Sequence, residues 1–289
     1  MSSIRATAIG FVAVLLWSLL ALLTVGSAPV PPLLLNTLCF GIGGALGLVW
    51  TARTRGLAQL RAVPWYIYAF GTIGLFGYHA LYFSALRLAP AAQAGLIAYL
   101  WPLLIVLMSG LLPGERLRLG HVLGAAIGFC GAALIITGGG AAFVAAHLPG
   151  YGLALICALF WSSYSVLSRV AGETPTASVA VFCVASSVLS LPLHLMFEST
   201  VWPNDALTWV SVALLGLGPV GLAFYVWDIG LKRGDIQILG TASYAAPLLS
   251  TLVLIAVGVA SFTWSLGIAA VLITAGALIA ARASLKSRP

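Results

Sequence analysis

Tyr99-Leu100-Trp101-Pro102-Leu103-Leu104 lies inside an apolar run long enough to cross a membrane, and 145 residues later the chain has Tyr244-Ala245-Ala246-Pro247-Leu248-Leu249. A proline within a span cannot donate to the helix ladder. It frees a carbonyl that must find another donor or line a wet cavity. Paired breaks at matching places in two halves of one chain point to a binding site between the halves.

The surrounding composition is that of a membrane protein. Of 289 residues, 62% are hydrophobic and only 7% charged, too few charges to coat a water-facing surface. The net charge of +7 does not indicate nucleic acid, because the basic residues stand singly or in pairs between apolar runs. They read instead as charges that set topology. Cys39, Cys130, Cys157 and Cys183 are scattered through apolar runs with no CxxC spacing. Neither a disulfide framework nor a metal site is expected, and no cofactor. Arg5 and the apolar run behind it read as a retained first span rather than a cleaved signal.

Ten runs are each about the length needed to cross ~30 Å of hydrocarbon: 6–26, 32–51, 64–84, 91–111, 120–139, 150–170, 176–197, 207–227, 236–258 and 264–282. With the N-terminus inside, the cytoplasmic segments hold Arg5, Arg53, Arg55, Arg61, Arg116, Arg118, Arg169, Lys232, Arg233, Arg282, Lys286 and Arg288, every basic residue except Arg87. That bias predicts a multi-pass protein with both termini cytoplasmic.

The offset of 145 also pairs Leu86 with Leu231, Arg87 with Lys232, Gly95 with Gly240 and Gly131 with Gly276, while Trp17-Ser18 matches Trp161-Ser162 at 144. The fold expected is therefore an all-α integral membrane protein of ten helices in two five-helix repeats, 1–145 and 146–289. Five is odd, so the second repeat enters from the opposite side, an inverted repeat around a central cavity. Arg87 and Lys232 then fall on opposite faces, which accounts for the one exception. Glycines four apart, at 120, 124 and 128 and at 43 and 47, read as close helix packing.

Catalysis finds no support. All six carboxylates are placed by these spans at helix ends or in loops, and there is no HExxH, GxSxG or phosphate loop. His79 alone among the histidines lies well inside a span, and a lone histidine makes neither a metal site nor an acid–base pair. The aromatics say more. Trp65, Trp202, Trp209 and Trp264 fall at membrane interfaces, as tryptophan usually does. Trp17, Trp101 and Trp161 fall near mid-span, with Tyr99 and Tyr244 at similar depth. An indole N–H or phenol facing lipid tails would lack a partner, so these rings should face the protein interior or water. Tyr78, His79 and Tyr82 share an arc of about 100° on the third span. Ser165 shares a face with Trp161, and Ser243 adjoins Tyr244 just before Pro247. The resulting pocket has aromatic walls, hydroxyls and backbone, without a fixed anion or cation. It suits a neutral or zwitterionic solute of amino-acid size with an apolar body. A channel would need a continuous polar stripe, whereas these groups cluster near mid-depth and the external half.

With Gly114-Glu115-Arg116 after the fourth span and a glycine-rich fifth, the chain resembles the drug/metabolite transporter superfamily, EamA type, over its whole length. Within it, the stretches from Tyr78 to Leu86 and from Tyr99 to Pro102 resemble the YddG-like aromatic amino-acid exporters. The resemblance implies a non-enzymatic exporter of aromatic and other hydrophobic amino acids in the bacterial inner membrane, working by alternating access; another small amphipathic metabolite or drug is the alternative. By position it implies a substrate site at Trp17, Tyr78, His79, Tyr82, Tyr99, Trp101, Trp161, Ser243 and Pro247, with Pro102 and Pro247 as hinges. Ala246 where the first half has Trp101 implies asymmetric contacts. No carboxylate is expected within the site, leaving facilitated diffusion or weak proton linkage through His79.

Overall fold

Proline or aspartate opens most of the helices. In the computed structural model, which describes residues 1–54, 56–138, 140, 142–171 and 173–285, α2 (Pro32–Arg53) starts on a proline whose missing N–H costs nothing there. Pro64 and Pro90 immediately precede α3 (65–88) and α4 (Ala91–Ser109). Asp205 accepts from the Thr208 N–H at 2.8 Å and Asp235 from the Ile238 N–H at 2.9 Å, capping α8 (Ala206–Arg233) and α9 (Ile236–Ala256). Hydrogen bonds from Thr208 hold the exposed Asp205 carboxyl below the usual carboxylate range. The other spans are α1 (Ser3–Gly26), α5 (Leu119–Thr137), α6 (Leu148–Val170), α7 (Ser178–Phe197) and α10 (Trp264–Leu285). A left-handed Gly138, φ 59°, stops α5. Among the described residues there is no strand.

Nine of these helices are long and apolar enough to cross a membrane. The remaining one, α3, is continuously helical from 65 to 88, α and π segments together, but more polar, because it carries Tyr66, Tyr68, Tyr78, His79, Tyr82 and Arg87. A helix lies at each of the ten expected runs, which is compatible with ten spans, with most ends shifted by a few residues. Arg55, Lys286 and Arg288 of the charge pattern lie outside the described residues.

The packing is compatible with two inverted five-helix halves. Helix α1 lies along α8 as α3 lies along α6. Helix α6 meets α4 as α1 meets α9, and α2 meets α8 as α7 meets α3. Exchanging each helix for its counterpart five later returns the same set. Helices α2 and α7, and α5 and α10, pack against their own counterparts. These two pairs are antiparallel: Leu33 meets Glu198 while Gly47 meets Ala180, and Gly120 meets Ala283 while Gly131 meets Ala269; α4 and α9 also meet each other. The α5–α10 seam follows the offset residue by residue. A Cβ on Gly131 would lie 2.9 Å from the Ala269 carbonyl and 2.8 Å from Ile273, and one on Gly276 would lie 2.5 Å from the Gly124 carbonyl and 2.9 Å from the Gly128 N.

One expectation fails. Helix α8 runs six residues past its expected end at 227, so Asp228 lies within the helix rather than at its end. It is 2% exposed. Lys232, one turn on, pairs with it at 2.8 Å, and the Thr176 hydroxyl donates to it at 2.7 Å. The paired charge lets α8 continue where apolar periodicity alone would end it. Other charges tie helix ends together. Arg87 meets Glu198 at 3.3 Å. Arg169 of α6 pairs with Glu115 and donates to the Leu231 and Gly234 carbonyls at 2.7 and 2.8 Å.

Substituting Gly124 by valine should disrupt the α5–α10 seam, since its Cβ would meet the Gly276 carbonyl at 2.5 Å. The expected cost is about 1–3 kcal/mol, read as a lower thermal midpoint of the detergent-purified protein. An unchanged midpoint would mean that the seam can widen freely.

Candidate solute-binding site

Five local interruptions lie along the spans, the first in α1, which is broken after Trp17 and resumes at Leu20. Helix α4 is broken after Ala98 and resumes at Trp101; α9 is broken after Ala242 and resumes at Ala245. Helices α3 and α8 each contain a π-helical segment, Ile73–Gly77 and Gly218–Leu222, offset by the same 145 residues. A π segment widens the helix and releases carbonyls from the i→i−4 ladder. Both segments have aromatic donors: the His79 ring, at Nδ1, bonds the Leu75 carbonyl at 2.8 Å, and the Trp17 indole N–H donates to the Pro219 carbonyl at 3.1 Å.

The proline breaks are closed in a different way from that expected. The Ser243 carbonyl, which loses its regular donor at Pro247, accepts from the Ala246 N–H at 3.1 Å. The Leu103 N–H lacks its regular acceptor across the first break and donates to the Tyr244 hydroxyl at 3.0 Å. Tyr244 is fully buried, wedged against Gly128, where a Cβ would lie 2.8 Å from its ring. The hydroxyl at one break thus satisfies the backbone at the other.

Rings fill the space these interruptions enclose. Trp17 lies 6.0 Å from both Trp101 and Trp161 between ring centroids, and 5.1 Å from Trp227. Trp101 and Trp161 meet edge-on at 6.3 Å. Tyr78 stacks on Tyr82 at 6.1 Å and touches Trp161 at 5.5 Å. Tyr99 links Trp101, at 6.1 Å, to Tyr244, at 6.4 Å. His79 turns toward Phe40 at 5.0 Å and reaches the tryptophans through Tyr78, at 5.2 Å, and through Phe224, which lies 5.7 Å from Trp161.

Seven of the nine residues singled out from sequence therefore fall in one connected set: Trp17, Tyr78, His79, Tyr82, Tyr99, Trp101 and Trp161. Ser243 is fully buried and spends its hydroxyl proton on the Leu239 carbonyl at 2.8 Å. Pro247 is half-buried on the turn after the α9 break. Sequence reasoning missed Trp227 and Phe224. Both are legible in the repeat, as the offset of 145 carries Tyr82 to Trp227 and His79 to Phe224. The second half thus supplies an indole and a phenyl ring where the first supplies a phenol and an imidazole.

The polar edges of the cage divide into two kinds. The N–H groups of Trp17 and Trp227 are taken, the latter by the Ser165 hydroxyl at 3.3 Å. The indole N–H groups of Trp101 and Trp161, and the hydroxyls of Tyr78, Tyr82 and Tyr99, have no hydrogen-bond partner among the described residues. No Asp, Glu, Lys or Arg belongs to this set. Among the described residues no three His, Cys, Asp or Glu side chains are grouped to hold a metal.

The EamA-like transporter family model matches this chain twice, over residues 5–137 and 148–282. The chain belongs to the EamA-like transporter family. The aromatic amino acid exporter YddG of Ancylobacter novellus is 53% identical over 97% of this chain and 98% of its own length. The protein of the same name from Salmonella typhimurium is 25% identical over 96% and 97%. A solved crystal structure, 51% identical, superposes with a TM-score of 0.95 over 100% of both chains. In this transporter the cage donors and the structural donors separate cleanly. Tyr244→Phe should strand the Leu103 N–H and cost about 1–3 kcal/mol, seen as a lowered thermal midpoint. Tyr99→Phe, which removes a hydroxyl with no protein partner, should shift stability by less than about 0.5 kcal/mol.

Proposed function

We propose that this transporter exports aromatic and other hydrophobic neutral amino acids across the bacterial cytoplasmic membrane by alternating access, with both termini cytoplasmic and residues 1–145 and 146–289 as its two inverted five-helix repeats. The observation that carries the reading is the unpaired polar edge of the tryptophan–tyrosine cage. An aromatic side chain can lie edge-to-face against these rings, an ammonium can sit over an aromatic face, and the carboxylate can accept from the Trp101 and Trp161 N–H groups and the tyrosine hydroxyls. The mismatch between the halves supplies orientation. The polar end of the solute belongs toward Tyr78 and Tyr82 on α3, and its apolar end toward Phe224 and Trp227 on α8. The name carried by the 53% identical relative supports the same substrate class.

In this reading α4 and α9 bend at the breaks before Pro102 and Pro247. The helix ladder is already interrupted there, and a proline cannot restore it. Ser243 and Pro247 act by shaping that bend and the cage wall beside it. One observation favours a second reading of the energetics, weak proton linkage: the Nε2 of His79 has no partner among the described residues. Without it, export runs down the amino-acid gradient.

Trp101→Phe keeps a ring and deletes the N–H. It should reduce phenylalanine or tryptophan transport in proteoliposomes about 5–20-fold, with little change in thermal midpoint. Full transport by that variant, together with full transport by Trp161→Phe, would remove the indoles from solute recognition. A competition panel of amino acids and unrelated drugs against labelled phenylalanine separates this substrate class from a general amphipathic one. Transport with and without an imposed pH gradient decides the coupling; equal rates would exclude proton linkage.

A further inference from the structure

The ends of α5 and α10 that lie beside each other form a second site, remote from the cage. A cleft of about 330 Å³ opens between the start of α5 and the last turns of α10, lined by Arg118, Leu119, Gly120, Ile279, Arg282 and Ala283. Its geometry follows from the glycine seam. Gly120 packs directly on Ala283, where an added Cβ would lie 2.9 Å away, so the adjoining Arg118 and Arg282 are brought to one mouth from two repeats. Two arginines are paired with carboxylates, Arg87 with Glu198 and Arg169 with Glu115. Arg118 and Arg282 have none among the described residues. The Glu115 carboxylate, three residues from Arg118, is engaged by Arg169, and Asp235 caps α9. The floor is of the opposite character. Leu119 is 73% exposed on the outward face of α5, with Ile279 beside it.

We infer that this cleft binds the phosphate headgroup of an anionic glycerophospholipid, the two guanidiniums holding the phosphodiester and the leucine–isoleucine wall receiving the acyl chains. Two planar guanidiniums can each present paired N–H donors to phosphate oxygens. Basic clefts between transmembrane helices at the water boundary are suited to lipid headgroups. A free anion would use the arginines but not the apolar wall, which favours the lipid as occupant. Placing the lipid in the cytoplasmic leaflet rests on the topology proposed above; the binding itself does not.

The full chain in neutral detergent tests this without any transport substrate, so the outcome is independent of what the cage carries. Dioleoyl-phosphatidylglycerol should raise the thermal midpoint of the wild type by about 2–4 °C over dioleoyl-phosphatidylcholine. Native mass spectrometry should show it retained on the protein. In R118Q/R282Q the shift and the retained lipid should fall by more than about half, while R118K/R282K, which keeps charge but loses the paired donors, falls between. R61Q, an arginine away from the cleft, should behave as wild type. Should the double glutamine variant fail to fold, R118Q and R282Q singly are read the same way. An undiminished shift in the glutamine variants, an equal loss in R61Q, or the same shift from inorganic phosphate at millimolar concentration would each overturn the assignment.

Discussion

A backbone N–H or carbonyl released inside hydrocarbon has no water to bond, and much of this structure follows from that constraint. The interior helices are imperfect: three are broken and two carry π segments. Each imperfection exposes polar backbone, and several of the groups so released are taken by an aromatic side chain. Leu75 is taken by His79, Pro219 by Trp17, and the Leu103 N–H by Tyr244. The aromatic concentration at mid-depth thus has a structural cause before it has a functional one. Rings that close the backbone also wall the cage, so cage geometry and helix geometry cannot vary separately.

The repeat is symmetric in scaffold and asymmetric in chemistry. The π segments fall at the same offset, and the glycine contacts between α5 and α10 map onto each other. The side chains they present differ: Tyr82 against Trp227, His79 against Phe224, Trp101 against Ala246. Helix α1 is interrupted after Trp17 while α6 runs through Trp161 unbroken. A two-fold scaffold carrying unlike walls gives the enclosed space a polar side and an apolar side.

Most of the fold was legible from apolar run length, the arginine bias and one recurring offset, because each reflects the bilayer rather than any particular contact. The ring cluster was legible too, since tryptophan at mid-span is anomalous on its own. What escaped had no one-dimensional signal. The π segments occupy ordinary helical sequence. Asp228 looked like an end charge because its Lys232 partner is visible only once α8 is seen to continue. Tyr244 read as another cage ring, and only the three-dimensional position of Leu103 reveals it as a backbone acceptor. Trp227 was the avoidable omission: the offset of 145 links it to Tyr82, but it lies at the expected end of a span, where a tryptophan is not anomalous.

The composition of the cage bears on electrical behaviour. It contains no Asp, Glu, Lys or Arg, and the charges outside it, Asp228 with Lys232 among them, are paired or lie at helix ends. Moving one elementary charge through a potential of 100 mV involves about 2.3 kcal/mol, so a carrier with a charged cage is driven or opposed by voltage on each cycle. Here a net-neutral solute passes between walls that bring no formal charge of their own. The membrane potential then does no work on the solute itself, and voltage can enter the cycle only through a proton carried with it.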